Sequence, residues 1–256
     1  MNLLFLGDVV GTSGCAAVRR HLPNLKRQYQ IDFTIINGEN SADGNGILPG
    51  SADSLFESGA DVITTGNHVL RRREIYDRLD EEDCPILRPA NFHHTTPGHG
   101  VITMDMLRYR LTVINLMGNV YMDYCGNIFD TIDEILPAID SKIVIIDLHG
   151  EATSEKLAMA HYLDGKVSLI VGTHTHVQTA DEQIFPNGTG YITDLGMCGP
   201  IDSVLGVKPE LALKKMRGNL PVRFENASTS ACVCGIFAQI DEKTGKTTKI
   251  ERISIK

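Results

Sequence analysis

The sequence contains no tryptophan, and aromatic residues make up only 6% of its 256 residues. It also lacks any apolar run near the roughly 20 residues that a helix needs to cross a bilayer, so a membrane protein is not expected. The opening run Met1–Leu6 has no basic flank and continues into Gly7-Asp8 rather than into a small-residue cleavage site. This start predicts a first β-strand instead of a signal peptide, and therefore a cytoplasmic protein.

An excess of basic residues is missing as well, because the formal net charge is −8. A broad nucleic-acid-binding face needs a basic stripe, so stable nucleic-acid binding is not expected. A small anionic substrate stays open, since bound cations can reverse the local sign of charge. Apolar residues reach 42% and charged residues 22%, with no repeat and no linker, which predicts a single domain over residues 1–256.

Six cysteines are scattered along the chain, which is not the spacing of a disulfide framework in a cytosolic protein of this size. Cys232 and Cys234 form a C-x-C pair inside the apolar run 231–237. Strand periodicity places both side chains on one face, so the pair is predicted to be buried structural thiols rather than a metal or redox pair.

In the first 80 residues, short apolar strands alternate with helical segments. The predicted strands cover residues 3–6, 33–36 and 61–65. Helices are predicted from about Gly14, over Ser51–Glu57 before Gly59, and over Arg71–Leu79. This alternation is typical of βαβ units and a largely parallel sheet.

The rest of the chain changes character. Two hairpins are predicted, one from strands 101–106 and 110–116 and one from strands 231–240 and 247–255. Between them lie strands 142–148 and 169–171, with a helix that Thr153 or Ser154 could cap. The sequence therefore predicts one α/β domain with two β-rich layers.

Several predicted strands end in the same way, with a glycine next to side chains that can bind a metal ion. Ligands of open α/β sheets bind just beyond the carboxyl ends of the strands, and glycine allows backbones to approach closely there. These strand ends are Gly7-Asp8, Gly38-Glu39-Asn40, Gly66-Asn67-His68, His149-Gly150 and Gly172-Thr173-His174-Thr175-His176.

Each strand end alone has a simpler interpretation. Asp8 could cap the following helix, and the two asparagine-containing ends could be turns. His149 could form a structural pair with Asp147. The pair His174 and His176 is harder to explain without a ligand, and the repetition across all the ends predicts a metal site.

The donor set combines three histidines, one aspartate, one glutamate and two asparagines, with no cysteine. Such a mixed nitrogen and oxygen set suits Fe, Mn or Zn, and it is too rich in nitrogen for calcium. The donors are too many for one ion that keeps a water, but suit two ions that share a carboxylate. Two-metal sites of this kind characteristically hydrolyse phosphate esters.

The order of these blocks resembles that of the calcineurin-like metallophosphoesterases. That superfamily usually has D-x-H in the first block and G-D in the second, where this chain has Val10 in place of the histidine and Gly38-Glu39-Asn40 in place of G-D. Both departures resemble the YmdB-like branch of bacterial metallophosphoesterases, and the likeness runs from end to end. The surrounding runs that also resemble this branch are 6–11, 37–40, 88–91, 151–156 and 193–200.

The resemblance implies a four-layer α/β/β/α sandwich with two mixed β-sheets. It also implies two transition-metal ions, with Fe or Mn favoured and Zn acceptable, and His68 as the proton donor. Glu39 would bridge the ions. One ion would be held by Asp8, Glu39, Asn40 and His176, and the other by Glu39, Asn67, His149 and His174.

The implied reaction is hydrolysis of cyclic nucleotides, with 2′,3′-cyclic monophosphates favoured, by a hydroxide that bridges the two ions. A phosphomonoesterase or nucleotidase is the nearest alternative. A regulatory metal- and nucleotide-binding protein whose turnover is incidental is another. The expected partner is a small phosphate ester, no membrane is expected, and a homo-oligomer is a common default.

Overall fold

The computed structural model describes residues 1–256 and contains fourteen strands and six α-helices. In chain order, the strands are β1 (Asn2–Leu6), β2 (Asp8–Val9), β3 (Phe33–Asn37), β4 (Val62–Thr64), β5 (Ile86–Leu87), β6 (Val101–Asp105), β7 (Arg110–Met117), β8 (Ile143–His149), β9 (Leu169–Thr173), β10 (Gln183–Ile184), β11 (Gly190–Ile192), β12 (Met197–Pro200), β13 (Ala231–Ile240) and β14 (Thr247–Ile255). The helices are α1 (Gly11–Tyr29), α2 (Pro49–Ser58), α3 (Tyr76–Leu79), α4 (Ile128–Ile135), α5 (Thr153–Leu163) and α6 (Pro209–Gly218).

The strands form two mixed sheets. The first has eight strands in the order β2-β12-β13-β1-β3-β4-β5, with β14 beside β13. Its strands β1, β3, β4 and β5 run parallel, whereas β13 pairs antiparallel with both β1 and β14. The second has six strands in the order β10-β11-β9-β8-β7-β6, parallel in the middle and antiparallel at both edges.

Alternation along β1 shows how the layers stack. Leu4 and Leu6 belong to a buried cluster that includes residues of α1 and α2, whereas Leu3 and Phe5 belong to a cluster shared with the second sheet. A third cluster joins the opposite face of the second sheet to α4 and α5. Because successive strand residues point to opposite faces, these three cores give four layers, which confirms the predicted α/β/β/α sandwich.

The predicted cap of helix α5 is wrong. The capping position is Ala152, which makes no side-chain cap, and Thr153 is already the first helical residue. Glu155 in the first turn accepts hydrogen bonds from the backbone N–H groups of Asn119 and Val120. Its carboxylate therefore ties the helix start to a neighbouring loop.

The predicted helix over Arg71–Leu79 is broken. Two single 3₁₀ turns, Val69–Arg71 and Arg73–Ile75, precede the short α3. Arg72 between them has an extended backbone, and its guanidinium donates to the carbonyl oxygens of Asp43 and Asn45. These bonds attach the segment to the loop that follows β3 and explain why a continuous helix does not form.

All six cysteines are free. Cys234 is buried as expected, whereas Cys232 is only partly buried and lies close to the carbonyl oxygens of Met197 and Gly199. No helix of the chain is both long and apolar enough to cross a membrane.

Candidate metal centre

The parallel strands of the two sheets bring all eight predicted site residues together. His149, at the end of β8, lies with its Nε2 atom 3.0 Å from Asn67 Oδ1 of the first sheet and 3.1 Å from His174 Nδ1. Asn40 Nδ2 lies 3.4 Å from His176 Nε2, and Asn40 Oδ1 lies 2.8 Å from His68 Nδ1. The polar strand ends therefore form one cluster between the sheets.

Glycine permits this approach at two strand ends. A Cβ atom added to Gly66 would lie 2.2 Å from Cδ2 of His149, so any side chain there would displace the imidazole. A Cβ atom on Gly7 would lie 1.9 Å from the carbonyl oxygen of Gly196. The predicted role of glycine in close backbone approach is confirmed at Gly7, whereas Gly66 makes room for a histidine ring.

Glu39 lies at the centre of the cluster and is fully buried. Its Oε2 atom lies 3.3 Å from His149 Nε2 and accepts a hydrogen bond from the backbone N–H of His68. Its Oε1 atom accepts one from Asn40 Nδ2 at 2.7 Å. Burial opposes the charged form, but the charge that His149 carries when it is protonated and the hydrogen bonds with His68 hold the pKa of Glu39 below its ordinary value.

The imidazoles around Glu39 present neutral nitrogen donors. Ligand atoms of Glu39, His149 and His174 all lie within 4.8 Å of one another. Burial lowers the pKa of His149 to about 3 and lowers the pKa values of His174 and His176 as well. Neutral imidazoles keep a lone pair for a metal ion, so the nitrogen donors fit a cation site.

Asp8 provides the clearest test of whether a cation fits. Its Oδ2 atom accepts a hydrogen bond from the backbone N–H of His174, whereas its Oδ1 atom is buried without any hydrogen-bond partner. Oδ1 lies 4.0 Å from His176 Nε2. Burial and the charge of Glu39 raise the pKa of Asp8. A cation would pair the orphaned oxygen and relieve this repulsion.

Asn40 fits less directly. Its amide NH₂ group faces Glu39 and His176, and its oxygen accepts from His68. Only an amide oxygen can bind a metal ion, so Asn40 would become a ligand after a half-turn of its amide.

The hydrogen bonds of Thr173 determine which nitrogen of His149 carries the proton. The Thr173 hydroxyl donates to Asp147 Oδ1 at 2.7 Å and lies 2.9 Å from His149 Nδ1. Because its single proton is given to Asp147, Thr173 accepts from the Nδ1–H of His149, which leaves Nε2 unprotonated. The direct Asp147–His149 pair considered from the sequence is therefore replaced by a relay through Thr173.

The segment that carries His174 and His176 adopts an unusual backbone. Both residues have positive φ angles, 105° and 64°, which residues other than glycine rarely adopt. The buried carboxylate of Asp194 accepts from the backbone N–H of Thr175 and pairs with Lys156 Nζ at 3.0 Å. Lys156 also donates to the carbonyl oxygen of Thr173, so this pair holds the segment in place.

Lys156 was missed by sequence reasoning because a lysine on a helix predicts an exposed side chain. The Thr173 relay was also missed, although Thr173 stands between the glycine and the histidine of a recognised strand end. Asp194 belongs to the run 193–200 that resembles the YmdB-like branch, which was the only available signal for it.

A four-layer α/β/β/α fold that gathers carboxylate, amide and imidazole donors at its strand ends defines the metallophosphoesterase class. Within that class, residues 4–253 match the family model described as YmdB-like protein. The chain belongs to the YmdB-like family, which implies divalent metal ions.

Three relatives cover nearly the whole chain. The 2′,3′-cyclic-nucleotide 2′-phosphodiesterase of Bacillus subtilis (strain 168) is 47% identical over 258 residues, which cover 100% of this chain and 97% of that protein. The crystal structure of a hypothetical protein from Thermus thermophilus has a TM-score of 0.94 at 37% identity, and the match covers 99% of this chain and 98% of that one. The crystal structure of a novel phosphatase from Mycoplasma pneumoniae has a TM-score of 0.94 at 34% identity, and the match covers 100% of this chain and 93% of that one. The predicted family, fold and enzyme class, a phosphoric ester hydrolase, are confirmed.

Proposed function

We propose that the chain is a two-metal phosphodiesterase that hydrolyses nucleoside 2′,3′-cyclic monophosphates. The observation that carries this proposal is the convergence of six other metal-competent side chains around the buried carboxylate of Glu39. The relative from Bacillus subtilis, named for this substrate class, supports the choice of substrate. The relative from Mycoplasma pneumoniae is described as a phosphatase, so phosphate monoesters are the alternative substrate class to be tested.

Two groups of side chains would hold the two ions, with Glu39 shared between them. The first group is Asp8, Glu39, Asn40 and His176, and the second is Glu39, Asn67, His149 and His174. Fe or Mn is favoured, and Zn is also compatible with these donors. When bound, two such ions stabilise negative charge on a phosphoryl group and lower the pKa of water.

His68 is proposed to give a proton to the leaving oxygen. Its Nδ1 atom lies 2.8 Å from the side-chain amide of Asn40, which positions the ring. Glu39 Oε1 lies 3.2 Å from the same Nδ1 atom, and a carboxylate oxygen there can accept a hydrogen bond from it. Nε2 has no hydrogen-bond partner in the protein and the side chain is partly exposed, so Nε2 can reach a substrate. As water adds to phosphorus and the P–O2′ bond breaks, Nε2 would protonate the 2′ oxygen.

The test replaces His68 with alanine in protein of measured metal content. Loss of the proton donor should lower kcat on nucleoside 2′,3′-cyclic monophosphates by about 10²–10⁴-fold, while the two ions stay bound. The matched control is His161→Ala, because His161 is exposed on α5 and forms no hydrogen bond with any proposed site residue. Its kcat should equal that of the wild type.

Substrate class is tested with a panel of cyclic nucleotides, linear diesters and monoesters. Preferential turnover of monoesters would replace the diesterase assignment with the phosphatase alternative. Failure to hydrolyse any phosphate ester with two ions bound would exclude the enzyme proposal. Loss of catalysis in His68→Ala without any cellular effect would favour a binding role over hydrolysis.

A further inference from the structure

A cavity of about 840 Å³ opens beside the proposed metal centre. Asn67, whose Oδ1 lies 3.0 Å from His149 Nε2, forms part of its wall. Much of the remaining wall is apolar or aromatic and includes Leu70, Phe92 and Tyr124. A cavity of this size and mixed lining is typical of sites for small organic ligands, and its position adjoins the place where a phosphate would react.

Arg88 lies in the wall of this cavity and is an unpaired buried cation. It is only 7% exposed, and no carboxylate pairs with it. Its one side-chain hydrogen bond goes from Nη1 to the carbonyl oxygen of Pro89, and Nε is buried without a partner. Burying a guanidinium with so few acceptors is unfavourable, so the cavity favours a ligand rich in hydrogen-bond acceptors.

Tyr124 provides an aromatic face at the same cavity. Its side chain is 97% exposed, although its loop is firmly attached. Asn91 donates to the carbonyl oxygens of Met117 and Gly126 on either side of the loop, and Asn119 donates to the carbonyl oxygen of Cys125. A rigidly supported and solvated ring suits stacking of a flat ligand, because stacking removes two apolar faces from water.

Another cavity of similar size has a different character. It measures about 940 Å³ and is lined mainly by polar residues, including Asp43, Arg72 and Asn226. None of the proposed metal ligands belongs to it. Its only aromatic side chain is Phe224, and it has no link to the place where the phosphate would react.

We propose that the cavity beside Asn67 binds the base of the nucleoside substrate. The base stacks on Tyr124 and Phe92, and its acceptor atoms face Arg88, while the cyclic phosphate lies at the metal centre. This inference rests on the proposed function and extends it, because it makes the nucleoside part of the substrate a determinant of specificity. A phosphodiester without a base would lack these contacts.

Binding of free guanosine to metal-free protein tests the cavity without any catalysis. Tyr124→Ala should weaken guanosine binding by about tenfold, the scale expected for loss of one base-stacking contact, as measured by isothermal titration calorimetry. The substitution leaves the fold intact because the ring is almost wholly exposed. Tyr121→Ala is the matched control, since Tyr121 lies in the same loop, is 88% exposed and is not part of the cavity wall. Equal guanosine affinity of Tyr124→Ala and wild type would overturn the proposal.

Kinetics then separate this inference from the proposed function. Tyr124→Ala should raise KM for guanosine 2′,3′-cyclic phosphate about tenfold, and leave KM for methyl riboside 2′,3′-cyclic phosphate, which has no base, unchanged. Equal effects on both substrates would overturn the base-binding site. Absence of turnover of both substrates by the wild type, with tyrosine-dependent guanosine binding intact, would overturn the proposed reaction and leave the cavity assignment standing.

Discussion

At the scale of single residues, the hydroxyl of Thr173 links a buried carboxylate to a proposed metal ligand. Asp147 accepts hydrogen bonds from Thr64, Thr173 and Asn37. Burial raises the pKa of Asp147 to about 6, so it is largely ionised at pH 7. Thr173 must then donate to Asp147 and accept from His149, which keeps the lone pair of His149 Nε2 directed at Glu39. Partners of this kind orient metal-binding histidines.

Thr173→Val tests this link. Valine keeps the shape but removes the hydroxyl, so His149 loses its acceptor and Asp147 loses a donor. We expect metal affinity to fall about 10–100-fold, measured by competition with a chelator. The free energy of unfolding of the metal-free protein should fall by about 1–3 kcal/mol.

Thr34→Val is a matched control for that change. Thr34 is also fully buried in a strand, but its hydroxyl has no hydrogen-bond partner. Its replacement should leave metal affinity unchanged. The free energy of unfolding should stay the same or rise slightly. A loss of metal affinity equal to that of Thr173→Val would show that any buried threonine has the same effect, and the relay would be refuted.

At the scale of elements, helix α5 supports the histidine segment through one ion pair. Lys156 and Asp194 are both buried, and together they bind the carbonyl oxygen of Thr173 and the N–H of Thr175. The pair thus attaches α5 to the residues on which His174 and His176 stand. It offsets the unfavourable positive φ angles of the two histidines.

Lys156→Met should therefore be strongly destabilising. The substitution leaves the Asp194 carboxylate buried without its cation, which typically costs about 3–5 kcal/mol. Urea unfolding of the metal-free protein measures the loss. Lys166→Met is the control, because Lys166 is exposed just beyond the same helix. Similar effects of the two substitutions would show that the ion pair contributes no particular stability.

The strands and their polar ends could be predicted because both depend on local patterns. Apolar runs followed by glycine mark the ends of β1, β3 and β9, and parallel strands bring such ends to one edge of a sheet. The broken helix before α3 could not be predicted in this way, because Arg72 bonds to a loop distant in sequence. The start of α5 was mispredicted for a similar reason, since Glu155 contacts the 118–120 loop.

At the scale of the whole molecule, the proposed metal centre is a source of electrostatic repulsion when the protein has no cation bound. Asp8 and Glu39 are fully buried carboxylates whose charges oppose each other. The folded-state pKa of Asp8 is raised above its unfolded value. Its charge therefore destabilises the fold fully above that raised pKa, and the penalty shrinks as the pH falls below it and is gone below the unfolded-state pKa.

Cations should consequently stabilise the fold. At a free Mn²⁺ concentration 100-fold above Kd, each ion contributes about 2.7 kcal/mol. For a domain of this size, that corresponds to a rise in Tm of about 5–10 °C per ion. Differential scanning calorimetry of metal-free protein at pH 7.5, with and without Mn²⁺, measures the shift. Absence of any shift would contradict a cation site.

Asp8→Asn separates the charge from the shape of this residue. The metal-free variant should be more stable than the wild type by about 1 kcal/mol, because the buried charge is gone. Its Mn²⁺-dependent rise in Tm should be roughly halved, because one of two ions loses its carboxylate. A metal-free variant less stable than wild type would show that Asp8 is well accommodated without a cation.

The pairing of β1 with β13 also determines when the metal centre can form during protein synthesis. Gly7 next to Asp8 donates its backbone N–H to the carbonyl oxygen of Cys234, and β1 lies between β3 and β13. Because β1 is translated well before β13, it keeps one open edge until β13 has been made. At about 5–20 residues per second, this interval lasts on the order of ten seconds or more. The nascent chain must protect an apolar strand edge throughout that time, and we expect metal loading at the proposed Asp8 position to follow translation of β13.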